Sequence, residues 1–325
     1  MARGHLGLAA RAWARLVTVL LLLLASAWPE ARQATPPRSD LIDAGRLLDD
    51  LRTLAADEMQ GRGTGTAGAA AARALISRRF REVGLQPVGD SFEHPFGVVP
   101  ATRGINVVGR IVGRAHPNRY VVVSAHYDHV GVKDGRIFNG ANDNASGAAA
   151  LAVVAAHFVR HPPANSLLFV AFDAEEAGLR GSRAFVRSPP VPVDAIVANV
   201  NMDMIGRDAD ETLWITGVRR FPVFRPAATR LAASSPIRIR IGHDDPANRE
   251  EEDWTRDSDQ FAFIEAGIPA LYIGVADYKF VHQPEDDVET MMPAFYVSAV
   301  EAVVNLLGDL DVDADALARA RTAAR

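Results

Sequence analysis

The 325-residue chain contains no cysteine. That excludes disulfides, thiolate metal ligands and a cysteine nucleophile, so any metal site must be built from histidine and carboxylates. The chain also lacks a basic field: its formal net charge is −5, which offers nothing to a nucleic-acid backbone. It has no internal repeat and no low-complexity tract. What is present is ordinary for a folded protein, with 48% apolar and 23% charged residues. A chain of this length must draw its stability from a large apolar core, because no covalent cross-link can supply it.

The first residues have a chemistry of their own. Arg3, Arg11 and Arg15 precede a short apolar core, Leu16 to Ala25, followed by the small residues Ala25-Ser26-Ala27. This is the pattern of a secretory signal peptide cleaved after Ala27. The core is shorter than the roughly 20 apolar residues that a spanning helix needs. No lipid-accepting cysteine follows it, so the expectation is an exported protein, periplasmic or extracellular, with no stable membrane anchor after cleavage. Residues 1–27 are therefore read as signal peptide and 28–39, with Pro29, Pro36 and Pro37, as a flexible lead-in.

From Ser39 the pattern is helical, with Leu41, Ile42, Leu47, Leu48, Leu51 and Leu54 at three- and four-residue spacing. Gly61 to Gly65 breaks it, and a second helix is predicted from Ala67 to Val83, stopped by Gly84. From Ile105 onward, strands alternate with helices. Predicted strands cover 105–112, 120–124, 167–172, 195–200, 213–216, 237–241 and 270–273. Predicted helices cover 146–159, 181–186, 222–233, 259–265 and 292–307. Strands this apolar are buried on both faces, which implies an α/β fold: a mostly parallel sheet with helices on each side. A single domain is predicted over 40–310, with 311–325 as a C-terminal tail.

In such a sheet, ligands bind at the carboxyl ends of strands, and the acids and histidines of this chain collect there. His126 and Asp128 end the strand containing Tyr120 to Val123, two residues apart on one face. That spacing lets a carboxylate hold one imidazole nitrogen while the other meets a metal. Asp143 arrives in a Gly/Asn-rich loop before an alanine-rich helix. Glu175 and Glu176 follow the strand 167–172. Adjacent side chains diverge, so one can ligate while the other acts as a general base. Asp203 sits between Met202 and Met204, an unfavourable place for an idle charge, and His282 follows the last strand, stiffened by Pro284. Sharing Asp143 gives each of two ions one imidazole and two carboxylates. Sulfur-free donors of this kind suit zinc, with cobalt or manganese as substitutes.

These pieces resemble peptidase family M28, of the secreted zinc aminopeptidase kind. The matching segments are His126-Tyr127-Asp128, Asn142 to Gly147, Glu175-Glu176 with Gly178 and Gly181-Ser182, Asn201-Met202-Asp203 and His282-Gln283-Pro284. A weaker match reaches back to Leu54 to Asp57 and Gly61-Arg62, so the likeness spans about 40–307. The resemblance implies a mixed, mainly parallel sheet sandwiched between helices. It implies two Zn2+ ions bridged by Asp143, one completed by His126 and Asp203 and the other by Glu176 and His282. It implies Glu175 as the base toward the bridging water, Asp128 orienting His126, and a cis peptide bond after Asp143. One departure stands out. Relatives carry a tyrosine directly before the last histidine as an oxyanion donor; here that place is Val281, and Tyr278 is the candidate instead.

The implied activity is hydrolysis of the N-terminal peptide bond of peptides with a free amino terminus. The acids Asp244, Asp245 and Glu250 to Asp253 offer negative charge for that ammonium, although such runs are more often solvated loops. Alternatives are a carboxypeptidase or dipeptidase of the same family, a single-zinc acyltransferase resembling the glutaminyl cyclases, and a binding ectodomain without catalysis. Retention of every ligand and of the base argues against the last.

Overall fold

The computed structural model describes residues 36–99, 102–248, 250–312 and 314–323. The expected signal peptide and most of the lead-in lie outside the described residues.

The chain begins with two helices, α1 (Ala44–Leu54) and α2 (Ala67–Val83). Asp43 caps α1 by accepting from the Arg46 amide, and Thr66 caps α2. Gly84 ends α2 in the left-handed conformation (φ 92°), which a side chain would strain. Strands β1 (Gln86–Pro87), β2 (Glu93–Val99), β3 (Thr102–Ile111) and β4 (His116–His126) follow. A small hairpin, β5 (Gly131–Lys133) with β6 (Arg136–Phe138), precedes α3 (Ser146–Arg160). Then come β7 (Asn165–Phe172), α4 (Arg180–Arg187), β8 (Ile196–Met202), β9 (Thr212–Thr216), α5 (Arg225–Ser234) and β10 (Arg238–Ile241). The chain closes with α6 (Gln260–Glu265), β11 (Ala270–Gly274), α7 (Pro293–Val312) and α8 (Ala314–Ala323).

Nine strands form one mixed sheet in the order β1-β3-β7-β4-β8-β11-β9-β10, with β2 also paired to β3. Its centre, β7, β4, β8 and β11, is parallel, whereas β3 joins β7 and β9 joins β11 antiparallel. β7, β8 and β11 are buried along their whole length, and β4 from Tyr120 to His126, as their apolar runs require. One face packs on α1, α2, α3, α5, α7 and α8, and the other on α4 and α6, through Phe172, Phe185 and Phe263.

Three features differ from the sequence reading. The sequence reading names no strand between 124 and 146, where the hairpin β5–β6 lies; its strands are only three residues each, too short for a periodic signal. Residues 314–323, expected as tail, form α8, whose Leu317 is buried in the core. The closing helix is longer than expected because Leu310 continues its apolar face beyond Leu307.

Candidate metal centre

The parallel strands β4, β7, β8 and β11 deliver their carboxyl ends to one edge of the sheet. Each hands its chain to a loop that carries donors. His126 is the last residue of β4, and its Nδ1 lies 3.1 Å from the Asp128 carbonyl oxygen. A carbonyl only accepts, so Nδ1 carries a proton and Nε2 is the nitrogen available to a cation. That nitrogen faces Asp203 Oδ1 at 3.3 Å and Asp143 Oδ1 at 3.4 Å. The sequence reading gave the orienting of His126 to the Asp128 carboxylate, but this carboxylate is 3.8 Å away. Its oxygens instead accept from the Glu175 and Glu176 amides, at 3.0 and 3.3 Å. Asp128 thus fixes the β7 loop, and its main chain fixes the imidazole.

Asp143 lies in a tight turn ahead of α3, and its peptide bond to Asn144 is cis. The Asn-rich motif around it ties that turn to the β8 loop. Gly206 donates to Asn142 Oδ1, the Asn144 amide donates to the Met202 carbonyl, and Gly147 donates to Asn144 Oδ1. A Cβ at Gly147 would meet Asn144 Oδ1 at 2.5 Å and the Met202 carbonyl at 2.7 Å, so only glycine permits this approach.

On the far side of Asp143, Oδ2 faces His282 Nε2 at 3.3 Å, and His282 also meets Glu176 Oε2 at 2.9 Å. The structure therefore gathers His126, Asp143 and Asp203 into one donor group, and Asp143, Glu176 and His282 into a second. Ala174, Met204 and His282, each beside or among these donors, adopt left-handed backbone (φ 59°, 57° and 52°). Such conformations cost energy and recur where geometry serves function.

Three residues to which the sequence reading gave no role complete the centre. His129 is buried in the second donor group, its Nδ1 2.8 Å from Glu176 Oε1 and 3.7 Å from Asp143 Oδ2. It stands one residue beyond Asp128, where two-residue alternation points it away from the His126 face. Asp286, four residues past His282, accepts from the Asn142 and Asp143 amides and from Arg207. Arg62, wholly buried, donates to the carbonyls of Leu54, Tyr127, Asn139 and Gly140 at 2.6–2.9 Å. It has no carboxylate partner, yet it lies within the field of Asp143, Asp286, Asp128 and Glu176; burial lowers its pKa to about 10.

Burial sets the electrostatics. It pushes Glu175 well above the usual carboxylate range, with His126 opposing and Asp259, Asp203 and Asp128 adding to the rise. Burial also raises Asp203 and Asp128. Burial works against charge on Asp143 too, but His129, His126 and His282 overcome it and hold Asp143 well below its usual range. Glu176 is brought to about 2 by the imidazoles of His129 and His282, against burial. His282 is raised to about 10 by Asp143 and Glu176. Asp259, wholly buried under the centre, is pushed up to about 6 by burial.

The donors fit a hard-to-borderline divalent cation, being imidazole nitrogens and carboxylate oxygens only. A buried, orphaned pair makes the same point: Glu176 Oε1 and His129 Nδ1 find no hydrogen-bond partner. Buried polar atoms are rarely left so, and an ion between them would satisfy both.

Tyr278 lies on the rim, 44% exposed, its ring 5.9 Å from that of Trp254 and perpendicular to it. A second phenol, Tyr272 on β11, is buried and feels the charges of Asp203 and Asp143. Asp244 is occupied elsewhere, accepting from the Gly217 and Arg219 amides, and Asp245 pairs with Arg219.

Comparison with known proteins agrees with this geometry. The chain is 26% identical over 231 residues to a probable zinc metalloprotease of Pyrenophora teres f. teres, covering 61% of this chain and 47% of that protein. Over 108 residues it is 41% identical to an aminopeptidase of Pseudomonas aeruginosa, covering 32% of this chain and 19% of that one. The chain thus spans about half the length, or less, of these curated relatives. In fold it is similar to a zinc aminopeptidase from Bacillus subtilis, at TM-score 0.67, 15% identity, and coverage of 84% and 96% of the two chains. It is also similar to the glutaminyl cyclase of Fimbriiglobus ruber, at TM-score 0.65, 21% identity, and coverage of 86% and 99%. The sequence profile of peptidase family M28 matches residues 106–307, more than half of the chain. The chain belongs to peptidase family M28.

Proposed function

We propose that the protein is a two-zinc aminopeptidase that removes residues from the free amino end of peptides. The observation that carries this reading is the position of Asp143. Its two oxygens face different imidazoles, Oδ1 toward His126 at 3.4 Å and Oδ2 toward His282 at 3.3 Å. That is the placement a bridging carboxylate needs. His126 and Asp203 would complete one ion, Glu176 and His282 the other. When bound, zinc supplies Lewis acidity toward the scissile carbonyl and toward water.

The chain's own groups supply the rest. Glu175 is the proton acceptor. Burial and the acids around it raise its pKa, so its carboxylate takes a proton from water readily and returns it to the leaving amine. Asp128 positions the Glu175–Glu176 loop through two amide hydrogen bonds, and its carbonyl fixes the His126 tautomer. Tyr278 is the proposed donor to the oxyanion. The substrate ammonium meets the negative rim formed by Glu252 and Asp257, both of which act on Tyr278 electrostatically. The protein acts outside the cytoplasm, carried there by its leader.

A single-zinc glutaminyl cyclase is the second reading, because that fold overlaps this one as closely as the aminopeptidase does. The experiment offers the purified protein, zinc-loaded or chelated, a mixture of unblocked, N-acetylated and N-terminal glutaminyl peptides, with products read by mass. The expected result is zinc-dependent loss of residues from free amino ends, with acetylated peptides untouched. Trimming from the carboxyl end would overturn the substrate assignment, and loss of ammonia without chain shortening would make the protein a cyclase.

A further inference from the structure

The second donor group holds more than the proposed mechanism uses. His129 is 2% exposed, and neither of its ring nitrogens has a hydrogen-bond partner. A buried imidazole normally secures at least one, because a polar atom buried without a partner gives up its hydrogen bond to water and gains none in return. Its neighbour is in a similar state. Glu176 Oε1 lies 2.8 Å from His129 Nδ1, a close polar contact, but among the described residues neither atom makes a hydrogen bond of regular geometry. Two donors side by side, close but not paired, converge on a third point rather than on each other. The same neighbourhood contains Asp143 Oδ2, 3.7 Å from His129 Nδ1, and His282, whose ring centroid is 5.7 Å from that of His129. The donor atoms of His129, Asp143, Glu176 and His282 all lie within 4.8 Å of one another.

The backbone holds the ring there. Gly140 packs flat against it, and a Cβ at that position would come within 2.5 Å of the imidazole. Gly140 also gives its carbonyl to Arg62. The ring therefore has little room to turn its nitrogens elsewhere.

We infer that His129 Nδ1 is itself a metal ligand, giving one ion of the pair two imidazoles and two carboxylates, while the other has one imidazole and two carboxylates. The inference rests on the reading that this centre holds metal. It makes the two sites unequal. The ion at His129 is the tighter, fills first and leaves last, and its partner is the one that exchanges.

The test uses uniformly 15N-labelled protein loaded with two equivalents of 113Cd2+, with cadmium–nitrogen couplings read in the histidine ring spectra. Direct couplings at His126, His129 and His282 are expected. Couplings at His126 and His282 without His129 would overturn the inference and leave the metal reading intact. No coupling at any histidine would remove the metal reading with it. Zinc affinity of His129→Gln and His129→Ala, measured against a competing chelator, supplies a second readout. The glutamine can offer a side-chain amide to Glu176 but is a poor ligand. Both variants are expected to weaken one of the two zinc sites by more than the roughly 10–100-fold typical of losing a group behind a ligand. Near-wild-type affinity in His129→Gln alone would make His129 a positioning residue and overturn ligation. Circular dichroism of the metal-free proteins establishes that both variants fold.

Discussion

At the scale of single residues, the proposed function separates holding a cation from moving a proton and gives the two tasks to adjacent glutamates. Glu175→Gln removes only the proton acceptor. Its turnover is expected to fall by about 100- to 10,000-fold, the range for a lost general base, with zinc content by elemental analysis unchanged. A variant that also loses zinc would show that Glu175 ligates. The imidazoles make a second expectation. In the metal-free protein His282 is raised to about 10 by Asp143 and Glu176, so at neutral pH it carries a proton. A histidine raised on folding stabilises fully below its unfolded pKa of about 6.5, and that contribution fades as pH rises toward 10. The ligand form is neutral, so zinc must displace the proton. Zinc affinity should therefore climb with pH between about 6.5 and 10 while this group's contribution to metal-free stability declines. Calorimetric titration in buffers of different ionisation enthalpy should register protons released on binding; zinc uptake without release would contradict the assignment.

At the scale of elements, the strands were legible because each buried strand is a continuous apolar run ending in a polar signal. Val170 to Asp173 and Val200 to Asp203 announce both a strand and what lies beyond its end. The candidate donors were legible for the same reason, since a parallel sheet gathers its strand ends. What escaped was held by main-chain atoms. Nothing in the sequence says that Arg62 will meet four carbonyls, that Asp128's carbonyl rather than its carboxylate will face His126, or that Asp286 will gather the amides before α3. Carbonyls and amides are the same at every residue, so such contacts leave no compositional trace. Arg62 nevertheless joins the end of α1, the end of β4 and the loop before α3. Arg62→Met would leave these buried carbonyls short of donors at about 1–3 kcal/mol each. We expect a loss of at least about 3 kcal/mol in urea unfolding, only partly recovered by Arg62→Lys, because one ammonium cannot span the positions of a planar fork. A loss under 1 kcal/mol would mean that water replaces the guanidinium.

For the whole molecule, the absence of cysteine leaves packing and bound metal as the sources of stability. Among the described residues no helix is long and apolar enough to cross a membrane. Expressed with its own leader, the chain should be recovered from the exported fraction beginning at Trp28. N-terminal sequencing decides this, and a chain beginning at Met1 in the membrane fraction would overturn cleavage. Chelation should lower the melting temperature, because an ion that binds only the folded chain stabilises it by mass action.

The donors are drawn from positions 126 to 282, and β11 inserts between β8 and β9 late in the chain. Asp286, which grips the amides of Asn142 and Asp143, follows β11 as well. A nascent chain therefore carries His126 and Glu176 for a long interval without a centre to put them in. Contacts of such sequence separation form slowly, after the loop entropy between them has been overcome. On the proposed reading, the donor set is complete only once β11 and the loop after it have docked, and partially made copies lack His282 and Asp286.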